Sequence, residues 1–200
     1  MESLRISHLS KAYDGRPVLE DVSLTFEPGT VTALCAPSGR GKTTLLRILA
    51  GLEKPDAGEI SGLPDKKPTA YLFQESRLFD ALTALENVML VLHGKKKETR
   101  LRALSLLESL GITSEDAEKY PHALSGGMRR RVAAARMLAF AEENDTPLVL
   151  LDEPFQGLDE ERKHAVITVF MKALAGRTVI FVTHEEAEVE AYAKGRRISL

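Results

Sequence analysis

Short apolar, β-branched runs alternate along the chain with longer stretches of helical periodicity. LRISHL at 4–9, VSLTF at 22–26, VTALC at 31–35, TAYLF at 69–73, PLVLLD at 147–152 and TVIFVT at 178–183 predict strands. TTLLRILAGL from Thr43, ETRLRALSLLESLG from Glu98, MRRRVAAARMLAF from Met128 and ERKHAVITVFMKALAG from Glu161 predict helices. In the second of these, Leu101, Leu104, Leu107 and Leu110 recur at helical spacing, which predicts a buried stripe that stops at Gly111. Strands that alternate with helices predict an α/β domain around a largely parallel sheet.

Between about Leu82 and Leu124 the pattern is helical, with no convincing strand. We expect one domain over 1–200, with an α/β core at 1–81 and 125–200 and a helical lobe at about 82–124 inserted into it. Helices that merely cover the sheet are the competing reading. The 200 residues suffice for one compact domain or two small lobes. A formal net charge of -2 gives no bulk signature of nucleic-acid binding. Cys35 is the only cysteine, which rules out an internal disulfide and a thiolate-rich metal site. MESLRISHLSKAYDG has no apolar signal core, and VMLVL and VIFV fall far short of a bilayer span, so the expectation is a chain that does not cross a membrane.

Residues 31–46, VTALCAPSGRGKTTLL, change the picture from fold to chemistry. A buried strand runs into a small-residue loop ending Gly41-Lys42-Thr43, and a helix follows. The spacing is that of the phosphate loop G-x-x-x-x-G-K-[ST], except that Ala36 stands where the first glycine is usual. Small residues let backbone N–H groups point inward at phosphate oxygens, and the helix N-terminus adds its positive end. Lys42 is expected to reach the β- and γ-phosphates of ATP and the Thr43 hydroxyl to ligate Mg²⁺. Ala36 needs only backbone angles open to a residue with a Cβ, and Pro37 biases it to an extended conformation.

Three other strand ends carry candidate chemistry. PLVLLDEPF ends in Asp152, expected to hold Mg²⁺ through water, and Glu153, suited to general base; a simple polar strand end is the plainer alternative. TVIFVTHEE ends at His184, which could bind a γ-phosphate and orient Glu153 or the attacking water. TAYLFQESRLF carries Gln74, whose amide oxygen could reach both Mg²⁺ and the water. His8, His93, His122 and His164 are scattered without ligand spacing.

One stretch remains unexplained by these strands: LSGGMRRR at 124–131, where Gly126 and Gly127 open an otherwise strong helix former. Ser125 is a fitting N-cap, which accounts for the serine and not for two glycines. Taken in order, the motifs resemble the nucleotide-binding subunit of an ATP-binding cassette (ABC) transporter along essentially the whole chain. APSGRGKTT (Ala36, Pro37, Ser38, Gly39, Arg40, Gly41, Lys42, Thr43, Thr44) resembles the Walker A loop, Gln74 the Q-loop, and LSGGM the signature motif. LVLLDE resembles Walker B, GLD with Asp159 the D-loop, His184 the switch histidine, and Tyr13 in LSKAYDG the aromatic that stacks on adenine.

The resemblance implies a P-loop NTPase fold with a mainly parallel sheet, a small N-terminal antiparallel β portion and an inserted helical lobe. It implies an ATPase with ATP and Mg²⁺ as cofactors, pairing head to tail as a homodimer. Ser125, Gly126 and Gly127 of one copy would then face the γ-phosphate held by the other. It further implies transmembrane permease subunits, a solute-binding protein and a place on the inner face of the cell membrane, cytoplasmic side. DEPF and QESRLFDALTALENV resemble importers, in particular those for nitrate, sulfonate and taurine. Met128 departs from the family's commoner glutamine, and the segment from Gly51 to Gln74 is short for the family, which suggests a trimmed β portion beside the base. Arg129, Arg130 and Arg131 are expected to form a mixed helix face and Lys95, Lys96 and Lys97 a solvated loop. A soluble ABC ATPase uncoupled from transport, or a catalytically weak nucleotide-binding module, are the alternatives.

Overall fold

The structure is a computed structural model that describes residues 2–37, 39–158 and 160–200, with the side chain of Glu161 excepted. It is α/β. In chain order come β1 (Leu4–Tyr13), β2 (Arg16–Phe26), β3 (Val31–Cys35), α1 (Lys42–Leu49), β4 (Ala57–Ser61) and β5 (Ala70–Leu72). Then follow α2 (Ala84–Met89), α3 (Lys96–Ser109), α4 (Ser114–Ala117), a 3-10 turn (Pro121–Ala123) and α5 (Gly126–Glu143). The chain finishes with β6 (Leu148–Asp152), α6 (Glu160–Ala173), β7 (Thr178–Val182), α7 (Glu186–Ala193) and β8 (Arg197–Ser199).

The chain divides into two compact units, 1–71 with 147–153 and 176–200, and 72–146 with 154–175. In the first, an antiparallel sheet ordered β2-β1-β4 accompanies a five-stranded sheet ordered β5-β6-β7-β3-β8. The antiparallel sheet has three strands, β4 pairing along β1 from Arg5↔Ser61 to Ser10↔Ala57. β6, β7 and β3 are parallel neighbours, in a register that sets Asp152 opposite Val182 and Val182 opposite Leu34. Every residue of β6 and β7 is buried, as continuous apolar strands between covered faces should be. On one face Leu34, Leu148, Leu150, Ile180 and Val182 join Leu45, Leu46 and Leu49 of α1 and Leu4, Leu9 and Phe26 of the antiparallel sheet in one core. On the other, Phe181 meets Tyr192 of α7 with ring centroids 5.1 Å apart.

The second unit is helical. α2 starts at a capping box: Thr83 Oγ1 accepts from Glu86 N–H at 3.2 Å, and Thr83 N–H donates to the Glu86 carboxylate at 2.9 Å. The expected leucine stripe of α3 is rotated. Leu101 is 60% exposed and Leu107 and Leu110 are buried, while Thr99 and Ala103 complete the inward face. The sequence offers more leucines than one face can hold, and the small Ala103 lets α3 approach its neighbours more closely than Leu101 or Leu104 would. Lys96 and Lys97 lie in the first turn of α3 and not in a loop, exposed as expected.

These faces separate two substitutions that look alike in sequence. Leu107→Ala should lose about 2–5 kcal/mol of stability, the range for emptying a closed core site. Leu101→Ala should change it by no more than about 0.5 kcal/mol. Urea unfolding followed by circular dichroism checks both; equal losses would contradict the buried face assigned to α3.

Candidate functional site

The register of β3, β7 and β6 puts the turns that follow them along one edge of the first unit. After β3, the loop turns through Gly39 and Gly41, both with positive φ (79° and 77°), whereas Ala36 and Pro37 keep negative φ. That explains how alanine serves where glycine is usual. Gly41 has a second constraint: a Cβ there would stand 2.6 Å from Leu19 Cδ2 and 2.8 Å from the Val18 carbonyl oxygen, both on β2. Ser38 lies outside the described residues, and Arg40 is exposed.

Lys42 opens α1 and is buried. Its Nζ donates to the carbonyls of Ala36 (2.6 Å) and Pro37 (3.0 Å), so the ammonium is folded back onto its own loop. Burial pulls its pKa down, against the opposing pull of Glu153 and Asp152. Thr43 Oγ1 donates to Asp152 Oδ2 at 2.8 Å. Asp152 is buried, and desolvation raises its pKa against the Thr43 hydrogen bond and the Lys42 charge. Two hard oxygens so placed fit Mg²⁺, which takes one or two protein oxygens and fills its shell with phosphate and water. No cluster of three or more His, Cys, Asp or Glu residues occurs among the described residues, as that mode of binding requires none.

Glu153 follows β6 with φ 51°, a left-handed conformation that costs a non-glycine residue about 1–3 kcal/mol. Its N–H donates to the Val182 carbonyl at 3.2 Å, tying the strained turn to the neighbouring strand end. Its carboxylate Oε1 lies 3.0 Å from His184 Nε2. Lys42, Thr43, Asp152, Glu153 and His184 are therefore brought together on one edge. Also in the first unit, the Tyr13 hydroxyl donates to Glu53, and Lys11 Nζ sits 5.4 Å from the ring centroid. Burial leads in raising the phenol's pKa, with Glu53 adding to it. Thr44 also reaches the Tyr13 hydroxyl, so Tyr13 is linked to the helix that follows the phosphate loop.

The second unit carries the other predicted groups. Ser125 caps α5, its Oγ accepting from Met128 N–H at 3.2 Å. A Cβ on Gly126 or Gly127 would meet nothing within 4 Å, and neither has positive φ. Among the described residues nothing demands glycine at these two positions. A cleft of about 580 Å³ opens there, with Gln74, Gly126, Gly127, Arg130 and Gln156 on its walls. Asp159 lies outside the described residues.

The three arginines in the first turns of α5 have three different surroundings. Arg129 donates to the Leu124 carbonyl at 2.9 Å, Arg131 is buried, and Arg130 clasps Gln156 at both its carbonyl (2.7 Å) and its side-chain oxygen (2.8 Å). The Arg130–Gln156 pair was not foreseen. Gln156 is exposed, so water could satisfy its amide and no local signal pointed to Arg130.

Residues 19–156 match the family model described as ABC transporter. The chain is 37% identical over 207 residues to the Fe(3+) ions import ATP-binding protein FbpC of Pseudomonas fluorescens, covering 96% of this chain and 57% of that protein. It is 38% identical over 214 residues to the spermidine/putrescine import ATP-binding protein PotA of Chromobacterium violaceum, covering 100% of this chain and 57% of that protein. The chain thus spans little more than half the length of these curated relatives. Among solved structures, the dimeric post-hydrolysis state of the ATP-binding cassette MJ0796 bound to ADP and Pi aligns with a TM-score of 0.84. That alignment has 30% identity and covers 98% of this chain and 94% of that one.

The glycines of the two motifs should respond oppositely to alanine. Gly41→Ala forces a positive φ and a clash with β2, so it should cost at least about 1–3 kcal/mol of stability. Gly126→Ala meets open space on a helix and should leave stability unchanged or raise it by up to about 1 kcal/mol. Thermal unfolding of the isolated chain makes the comparison; a marked loss at Gly126 would show that the chain needs that glycine for its own packing.

Proposed function

The chain belongs to the ABC transporter family, and from that premise we propose that it is the ATP-binding and ATP-hydrolysing subunit of an importer, driving solute through partner permease subunits. The observation that carries the reading is the shared edge on which Lys42, Thr43, Asp152, Glu153 and His184 converge. The names of the aligned FbpC and PotA proteins, both import ATP-binding proteins, support the transport role.

In this reading the loop from Ala36 through Pro37, Ser38, Gly39, Arg40 and Gly41 wraps the phosphates of ATP, with Thr44 beside it. Lys42 leaves its carbonyl partners for the β- and γ-phosphate oxygens. Thr43, and Asp152 through water, would hold Mg²⁺, whose charge would offset that of the phosphates. Glu153 accepts a proton from the attacking water as it adds to the γ-phosphorus, and the products are ADP and phosphate. His184 holds Glu153 by the 3.0 Å contact and donates toward the γ-phosphate. Gln74 supplies an amide oxygen to the metal and the water, and Tyr13 stacks on adenine.

Ser125, Gly126 and Gly127 serve in trans, offering a hydroxyl, bare backbone N–H groups and a helix N-terminus to the γ-phosphate on a second copy. Asp159 belongs to the same interface. The open space over both glycines suits such an approach. Closure of the homodimer on two ATP molecules and its reopening after hydrolysis form the two-state element that a ligand biases. One cassette domain over 1–200, with its helical lobe at about 82–124, would pass that motion to permease subunits fed by a solute-binding protein. Among the described residues no helix is long and apolar enough to cross a membrane, so attachment to the inner face is assigned to the permease. The words DEPF and QESRLFDALTALENV favour a nitrate, sulfonate or taurine system, whereas the aligned relatives are named for iron and polyamines. The solute would be chosen by contacts on partner chains.

Glu153→Gln keeps the shape of the side chain and removes its basicity. It should bind ATP with little change, lower kcat by about 10²–10⁴-fold and accumulate an ATP-bound dimer in sedimentation runs. Normal turnover would remove Glu153 from the role of base. Ser125→Arg should abolish steady-state hydrolysis while nucleotide binding to the monomer stays within about twofold, the pattern of a group acting on the transition state of another copy. Parallel loss of binding and hydrolysis would place the serine's action within its own chain.

A further inference from the structure

Between Phe73 and Ala84 the chain carries Gln74 through a segment that is neither helix nor strand, in which Leu82 N–H donates to the Phe79 carbonyl at 3.1 Å. The segment also contains a strained point, Arg77 at φ 43°. A strained residue in irregular backbone persists when its surroundings over-determine it. Two side chains provide that determination. Asn87 of α2 is 0% exposed and uses its whole amide. The two hydrogens on its Nδ2 are shared among the carbonyls of Phe79 (3.1 Å), Leu82 (3.1 Å) and Thr83 (3.0 Å), and its Oδ1 accepts from Phe79 N–H at 2.9 Å.

Arg136 of α5 completes the grip. One terminal nitrogen donates to the Arg77 carbonyl at 2.8 Å and to that of Ser76 at 3.4 Å; the other donates to Asn87 Oδ1 at 3.3 Å. Its guanidinium centre stands 5.7 Å from the Phe79 ring centroid, and burial pulls its pKa down. Arg77 in turn lays its own guanidinium 4.0 Å from the Phe73 ring centroid, next to Gln74. A planar fork that meets two successive carbonyls and an amide oxygen cannot be reproduced by a lysine ammonium, which offers the charge without the fork.

We propose that Arg136 and Asn87 are the positioning residues of the Gln74 segment: they lock it to α5, the helix that begins at Ser125, Gly126 and Gly127. Gln74 and the glycine cap are then one rigid piece, and any displacement of one is delivered to the other. Neither residue touches the reacting atoms. The proposal rests on the ATPase reading for its catalytic consequence, but the mechanical link stands on the hydrogen bonds alone.

Hydrogen–deuterium exchange and steady-state kinetics on Arg136→Met and Arg136→Lys test the two parts separately. In Arg136→Met, amides between Gln74 and Leu82 should exchange about tenfold faster, with α3 and the C-terminal half of α5 unchanged, as a local opening requires. kcat should fall about 10- to 100-fold while KM for ATP stays within about twofold, the signature of lost positioning. Arg136→Lys should lie between wild type and Arg136→Met on both measures. Unchanged exchange at 74–82, or a kcat that is untouched while the segment loosens, would overturn the proposal. Uniformly faster exchange throughout 72–146 would overturn it too, since that is a general loss of structure. If Arg136→Met does not fold, Arg136→Lys decides by the same criteria. A wild-type chain without ATPase activity would sink the functional reading, and the exchange result would still decide the mechanical link.

Discussion

The parallel register of β6, β7 and β3 is the constraint on which the chemistry depends. Because Asp152, Val182 and Leu34 lie side by side, the three turns that follow them begin at the same height on one edge. A slip of one residue would turn every side chain to the opposite face and separate Thr43 from Asp152. What pins the register is apolar: β6 and β7 are buried throughout, and alternate residues feed the core shared with α1 or the face covered by α7. Hydrophobic packing thus sets polar geometry.

At that edge the charged groups are buried, bonded within the chain or set in strained backbone. A buried lysine is spent on two loop carbonyls, a buried aspartate is kept from its usual acidity by desolvation, and Glu153 sits in a left-handed turn. Anionic phosphate and a divalent cation would each find a partner already desolvated and oriented. The glycine cap of α5 shows the complementary property. Its first turn is open where side chains would be, with the Ser125 hydroxyl and the helix N-terminus beside it.

Much of this was legible in the sequence because it rests on short-range rules. VTALC, PLVLLD and TVIFVT are continuous apolar runs and became β3, β6 and β7; GKTT opened a helix and LSGGM was capped by its serine. What escaped lacked such a signature. AGEIS forms β4 and RIS forms β8 with hardly a buried residue, so no apolar period marked them. The leucines of α3 outnumbered the inward positions, and only tertiary packing chose Ala103 over Leu101. Arg129, Arg130 and Arg131 read only as a mixed helix face, and each finds a different partner or burial once helix rotation spreads them. Asn87 and Arg136 draw their roles from partners up to dozens of residues away, which no local pattern records.

The central claim is that one copy grips the triphosphate through Lys42 and a second covers it with Ser125, Gly126 and Gly127. A crystal structure of the chain with Mg²⁺ and a non-hydrolysable ATP analogue measures this directly. The account predicts two copies, each γ-phosphate within hydrogen-bond distance of Lys42 of one and of the Ser125 hydroxyl and Gly127 N–H of the other. Nucleotide bound to a single copy, with the glycine cap turned to solvent or against its own chain, would contradict it.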